Sequence, residues 1–285
     1  MSSNCIRCSV MRLNDKELDL SVPQVMAIVN ITPASFFEKS RVVDDEAIEA
    51  RIRQVVAEGA SIIDIGGYSS RPGACDVAAD EEWERVRRAL IVVRRVAEDV
   101  PVSVDTFRAS VAERAIEEFG AVIINDISAG EADPSMWDVV ARYDVPYVAM
   151  HMRGRPETMQ SCTDYDNVTR DVVEYLATRA EQLKRRGVEC VVLDPGFGFA
   201  KTLSQNYELL HGLSDLVAVG CPVLVGISRK SMIYKALDIS QQEALTGTIA
   251  LHWECLRAGA RILRVHDTRE AVQTIKLFET YESYR

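Results

Sequence analysis

A (β/α)8 TIM barrel, α/β in class and with its active site at the C-terminal face of the strands, is the fold the sequence predicts. Three observations predict it. Eight short apolar runs alternate with longer amphipathic stretches along most of the 285 residues. The runs are rich in Val and Ile and apolar at nearly every position, as strands covered on both faces have to be. Almost every run ends in polar or glycine-bearing residues, and a barrel gathers such ends at one mouth.

The strands are expected at 25–30, 61–66, 102–105, 122–126, 146–151, 190–194, 222–226 and 261–265. Amphipathic stretches between them, such as 44–58, 80–98, 109–119 and 164–186, predict helices on the 3.6-residue period. Gly59, Gly120, Gly187 and Gly259 follow these or neighbouring helical stretches as C-terminal stops. Residues 1–22 read as a lead-in, a small hairpin closing the barrel bottom, and 23–285 as one barrel domain. The alternative is an open doubly wound sheet. Such a sheet binding a dinucleotide would want G-x-G-x-x-G after its first strand, where this chain has Asn30-Ile31-Thr32-Pro33. No flexible linker, low-complexity tract or internal repeat divides the chain, and a second catalytic domain is not expected beside a barrel of about 250 residues.

Composition sets the class of partner. With 47% hydrophobic and 27% charged residues the chain reads as globular, and a net charge of −10 argues against nucleic acid or anionic lipid as partner. An anionic small substrate needs basic side chains gathered locally. Seven scattered cysteines suit reduced thiols and a cytoplasmic protein. Cys5 and Cys8 form a C-x-x-C that lacks two further ligands for zinc. No apolar run is long enough to span a membrane, and the first residues have no signal-peptide core.

Each strand end has a bland reading. Asp105 or Asp126 alone caps a helix, Asp194-Pro195-Gly196 makes a turn, Gly66-Gly67 a tight loop, and His151 a satisfied core histidine. Caps and turns do not explain why Asn30, Lys230, Arg264 and His266 arrive at the same rim.

Eight segments in order carry a resemblance: Asn30-Ile31-Thr32-Pro33; Asp64-Ile65-Gly66-Gly67-Tyr68-Ser69-Ser70-Arg71-Pro72-Gly73; Ser103-Val104-Asp105-Thr106; Asn125-Asp126-Ile127; Met150-His151-Met152; Leu193-Asp194-Pro195-Gly196-Phe197-Gly198-Phe199; Ser228-Arg229-Lys230-Ser231; and Arg264-Val265-His266-Asp267. Together they resemble the dihydropteroate synthase family of pterin-binding barrels. The resemblance implies a transferase of folate biosynthesis, a target of sulfonamides. It condenses (7,8-dihydropterin-6-yl)methyl diphosphate with 4-aminobenzoate and releases pyrophosphate. It implies pterin diphosphate contacts from Ser70, Asp105, Asn125, Met150, Asp194, Lys230, Arg264, Val265 and His266, with Lys230, Asp105, Arg264 and His266 acting in catalysis. It also implies a 4-aminobenzoate pocket of Ser70, Arg71, Pro72, Phe199 and Ser231, Mg2+ as cofactor on Asn30, and a homodimer. The chemistry suits the residues. A buried carboxylate accepts the paired donors of the pterin edge, Asp194 by resemblance. Catalysis then needs charge stabilisation of the leaving pyrophosphate and of the methylene cation, with no protein nucleophile.

The first loop departs from the family pattern: Ala34 stands for an acid and Lys39-Ser40 for two glycines, with Glu38 nearby. Ser70 stands for a common Thr and Tyr68 for a common Glu. Three rivals remain open at this point. A folate-dependent barrel methyltransferase would need a methyl-acceptor partner. A paralogue would bind pterin without turnover. A phosphosugar enzyme would carry a glycine-rich phosphate cup after strands seven and eight, where this chain has Lys230 and Arg264.

Overall fold

The computed structural model of the chain describes residues 8–13, 16–31, 45–68, 77–120 and 122–284. A lead-in hairpin pairs β1 (Val10–Leu13) with β2 (Lys16–Asp19) in antiparallel register. Eight parallel strands follow: β3 (Gln24–Asn30), β4 (Ile62–Gly66), β5 (Val102–Asp105), β6 (Ile123–Asp126), β7 (Tyr147–Met150), β8 (Val191–Asp194), β9 (Leu224–Val225) and β10 (Ile262–Val265). The hydrogen-bonded order is β8-β7-β6-β5-β4-β3-β10-β9. The ring closes through the Leu193–Val223 bridge, where the Leu193 N–H donates to Pro222 O at 2.9 Å. The eight expected strands are therefore present, each shifted by three residues or fewer.

Helices cover the outside: α1 (Asp45–Ala57), α2 (Ala79–Val96), α3 (Ala109–Phe119), α4 (Met136–Tyr143), α5 (Val168–Arg185), α6 (Leu203–His211), α7 (Leu213–Val217), α8 (Ser231–Leu237), α9 (Leu245–Arg257) and α10 (Thr268–Ser283). Gly59, Gly120, Gly187 and Gly259 all take positive φ at or just beyond helix ends, as expected of stops. Two more helices end on left-handed aspartates, Asp144 after α4 and Asp238 after α8. Aspartate tolerates that conformation better than most side chains.

Period-two alternation splits the strand residues into two cores. Outward residues such as Val25, Ile63, Val104, Ile124, Leu193, Val225 and Val265 pack against the helices. Inward residues Met26, Ile62, Ile123, Val148, Val192, Leu224 and Ile262 fill the lower barrel. Met11, Leu13 and Leu20 of the lead-in are buried with them, so the expected hairpin does close the bottom. Burying Met11 and Leu13 there contributes about 1.5–3 kcal/mol each. The Cys8 thiol donates to Cys190 Sγ at the edge of this plug, at 2.6 Å; Cys5 lies outside the described residues.

Candidate active site

The inward positions at the upper strand ends are polar, and they converge. Arg264 rises from β10 into the barrel. Its Nε donates to Asp64 Oδ2 at 2.7 Å, and its Nη2 reaches Asp64 Oδ2 and Asp105 Oδ2, each at 2.6 Å. Asp64 is fully buried on β4 and also receives Asn125 Nδ2 from β6 at 3.4 Å. A carboxylate at that depth needs such partners, because an unpaired buried charge costs several kcal/mol. Burial pushes the Asp105 carboxyl up, and the Arg264 guanidinium beside it pulls the other way. Burial alone would lower the Arg264 pKa, yet Asp64 and Asp105 together raise it, so the guanidinium stays charged. Its Nη1 has no hydrogen-bond partner among the described residues.

Bare strand ends let these side chains close up. A Cβ at Gly66 would sit 3.2 Å from Asn30 Oδ1 and 3.5 Å from Asp105 Cβ. One at Gly226 would sit 3.9 Å from both Lys230 Nζ and Arg264 Cβ. Lys230 folds back into the mouth, donates to Phe197 O at 2.6 Å, and lies 4.7 Å from the centre of the Phe199 ring. Burial lowers its pKa to about 8, against the pull of Asp194.

Asp194, only 5% exposed, ends β8. One oxygen accepts the Gly196 N–H at 2.7 Å, which leaves most of its acceptor sites to a ligand. Burial raises its pKa and Lys230 opposes this. The chain turns there through Gly196 at φ +67, where a Cβ would collide with His151 O at 2.0 Å, so only glycine fits. Met150, Ile127, Met152 and Ala200 form an apolar wall beside it, with Phe107 and Phe199 packed against them.

On the opposite rim the His266 N–H donates to Ser228 Oγ, and its Nδ1 lies 3.2 Å from the same oxygen. Arg51 of α1 holds the His266 carbonyl at 2.9 Å. Arg229, the other cation of that loop, turns away to pair with Asp267 at 2.8 Å.

Of the residues the sequence points to, the structure brings Asp105, Asn125, Met150, Asp194, Lys230 and Arg264 to one hollow, with Asn30, Phe199 and His266 on its rim. Ser231 starts α8 directly after Lys230. Val265 shares the strand end, but its side chain lies in the outer core, so only its backbone faces the mouth. Ser70, Arg71 and Pro72 lie outside the described residues, as do Thr32, Pro33, Ala34, Glu38, Lys39 and Ser40 of the first loop. Asp126 follows the bland reading: its oxygens accept from Ser128, Gly130 and Tyr147, all at 2.7–2.8 Å. His151 is a buried partner of Lys201, kept neutral by burial with its pKa at about 2.

Sequence reading does not single out Asp64 as the keeper of Arg264, nor Glu82, Ser228 or Lys201. Glu82 is fully buried, accepts from Thr106 Oγ1 at 2.6 Å and pairs with Arg108. Arg108 in turn lies over the rings of Tyr68 and Phe107, which meet edge to face at 5.1 Å. Tyr68 thereby ends β4's loop-ward turn on an aromatic contact with Phe107 and Arg108. A buried acid in an apolar strand was the one available signal for Asp64.

Comparison with known proteins agrees with this geometry. Residues 26–266 match the family model described as pterin binding enzyme. The chain is 40% identical over 268 residues to the dihydropteroate synthase of Escherichia coli (strain K12), covering 92% of this chain and 93% of that protein. It is 38% identical over 268 residues to the dihydropteroate synthase of Haemophilus influenzae, covering 93% and 96%. The crystal structure of Yersinia pestis dihydropteroate synthase with a sulfonamide drug complex superposes with a TM-score of 0.88 at 36% identity, over 96% of this chain and 99% of that one. The Thermus thermophilus dihydropteroate synthase in complex with 4-aminobenzoate gives 0.84 at 37% identity, over 95% and 99%. The chain belongs to the pterin-binding enzyme family and, within it, to the dihydropteroate synthases, transferases of folate synthesis built on a (β/α)8 barrel.

Proposed function

We propose that the hollow between Asp64 and Lys230 seats the pterin of (7,8-dihydropterin-6-yl)methyl diphosphate, with 4-aminobenzoate against Phe199. The observation that carries this reading is the shared mouth of Asp105, Asn125, Asp194, Lys230 and Arg264. Asp194 accepts the amino group and ring N–H of the pterin edge, and Asn125 and Asp105 meet other polar ring atoms. Lys230 and the Nη1 of Arg264 donate to the carbonyl side and the ester oxygen. His266 and Arg51 lie together at the end of β10, where the diphosphate would sit.

The bond from the pterin methylene to the diphosphate oxygen breaks, and the electron pair leaves with pyrophosphate. The aryl amine attacks the methylene carbon and gives up a proton as the new C–N bond forms. Three carboxylates against two cations leave the hollow net negative, which favours the positive charge that develops on the pterin methylene. The phenyl wall of Phe199 beside Lys230 holds the aryl ring in line. The same wall would take a sulfonamide, which imitates the aryl amine.

Mg2+ fits the rim. Asn30 Oδ1 is a hard neutral oxygen lying over the bare Gly66. Mg2+ keeps few protein ligands, so Asn30 with diphosphate oxygens and water would complete its shell. When bound it would neutralise charge on the departing pyrophosphate. The reading extends to a homodimer, for which exposed Leu277 and Tyr281 of α10 and Tyr284 just after it offer apolar surface, and to the cytoplasm, where the free thiols of Cys8 and Cys162 stay reduced. No helix among the described residues is long and apolar enough to cross a membrane.

The test is pyrophosphate release from both substrates and Mg2+, with 4-aminobenzoate omitted as control. Release that depends on the aryl amine is expected. Tight pterin binding with no release above the blank would mean a binding protein without turnover. The same assay reads a pH effect. Lys230 acts as an ammonium, and its pKa is lowered to about 8. Below that pH the donor is present; above it the charge is lost, so kcat/KM should fall on the alkaline side of about pH 8. Lys230→Arg, whose charge does not titrate there, should lose the alkaline limb. An unchanged limb in that variant would assign it to another group.

A further inference from the structure

We propose that Lys201 is a positioning residue for the aryl amine pocket, clamping the 195–200 loop so that Phe199 stands against Lys230. Lys201 is 4% exposed, near enough to Asp194 for the two charges to act on each other. Its Nζ has three hydrogens and three acceptors: Gly196 O at 3.0 Å, Phe199 O at 3.0 Å and His151 Nδ1 at 3.1 Å. Two of these belong to the loop that Lys201 itself ends, so the side chain folds back and fixes both of its shoulders. The His151 contact ties that loop to β7.

The loop needs such a clamp. Gly196, Gly198 and Ala200 all take positive φ, and Ala200 does so at +50 without glycine's freedom. A left-handed alanine is disfavoured because its Cβ crowds the following carbonyl oxygen. Asn206 supplies the other tie, accepting the Gly198 N–H at 2.7 Å and donating to Thr202 O at 2.7 Å. That tie holds the middle of the loop and leaves the carbonyl of Phe199 to Lys201. Lys230 grips the same loop from the mouth, at Phe197 O. The loop thus hangs between two lysines, one facing substrate and one behind. Burial lowers the Lys201 pKa to about 7, against the pull of Asp194.

The inference rests on Phe199 as the wall of the aryl amine pocket, and the experiment separates the two. In the full chain, Phe199→Ala, Lys201→Met and the double variant are assayed by pyrophosphate release, with KM taken for each substrate. Phe199→Ala and Lys201→Met should each raise the KM for 4-aminobenzoate by about tenfold, with the pterin diphosphate KM changed by less than about threefold. If Lys201 acts through Phe199, the double variant should be within about twofold of the worse single. Adding Ala200→Gly to Lys201→Met should recover part of the lost KM, because glycine holds the left-handed turn unaided. An unchanged KM in Phe199→Ala removes the pocket reading and this inference with it. A KM rise in Phe199→Ala alone, or fully multiplicative effects, overturns the role of Lys201 only. If Lys201→Met is recovered unfolded, the comparison is made in the Ala200→Gly background. Failure to fold there too would make Lys201 a folding residue and overturn the proposal.

Discussion

Replacing Asp194 with alanine is expected to weaken pterin binding by about 10²–10⁴-fold, since two charge-assisted hydrogen bonds at about 1.5–3 kcal/mol each are lost together. The carboxylate is 5% exposed, held upright by the Gly196 N–H, and faced by Lys230. Its loss leaves the pterin donors without an acceptor in a place that water reaches poorly. Asp194→Asn should be nearly as damaging, because its amide sets a donor against a donor. Calorimetric titration with a pterin analogue measures the effect. Near-normal affinity in either variant would remove Asp194 from the pterin seat. A melt of each variant separates this from the loss of the Gly196 hydrogen bond, which costs only about 0.5–1.5 kcal/mol or somewhat more for a charged acceptor.

Arg264→Met should cost both activity and stability. The guanidinium neutralises Asp64, which is fully buried, and Asp105 at the mouth. Breaking a buried pair by removing one partner costs about 3–5 kcal/mol. For a domain of this size that is a fall of roughly 10 °C in Tm, at about 2–4 °C per kcal/mol. The sign with pH is diagnostic. Without Arg264, burial holds the Asp105 carboxyl above its unfolded value of about 4. An acid with a raised folded pKa loses stability as pH climbs through the interval between the two values. The deficit should therefore be small near pH 4 and grow toward neutrality. A deficit that stays constant between pH 4 and 8 would mean that the carboxylates find another partner. Arg264→Lys keeps the charge but not the fork, and should recover stability better than activity.

Much of this is legible in the sequence because burial on both faces writes itself into composition. Strands β3 to β8 and β10 are mostly apolar and rich in Val, Ile and Leu, and the polar breaks toward their upper ends make the site. Strand β9 is expected over 222–226 but pairs only over Leu224–Val225. Pro222 has no N–H to give, and Gly226 gives way to the turn that carries Lys230. The helix ends at Asp144 and Asp238 leave no glycine to read. Chemistry is less legible than topology. Asp64, Asp126 and Asp194 look alike in sequence, each closing or punctuating an apolar run. One neutralises an arginine, one ties a turn to Tyr147, and one faces the hollow. Only packing distinguishes them, since the difference lies in which partner sits within 3 Å. Lys201 carries no signal at all: a lysine after Gly196-Phe197-Gly198-Phe199-Ala200 reads as a solvated turn, and its inward fold depends on two carbonyls of its own loop and on His151 just after β7.

Sealing the floor has a consequence for traffic. With Met11, Leu13 and Leu20 stopping the lower end, the barrel is a cul-de-sac. With the heterocycle seated deepest and the arene nearer the street, as proposed, both would arrive and depart by one door. The arene would then block the way out for whatever lies deeper, and depth would set the order of entry.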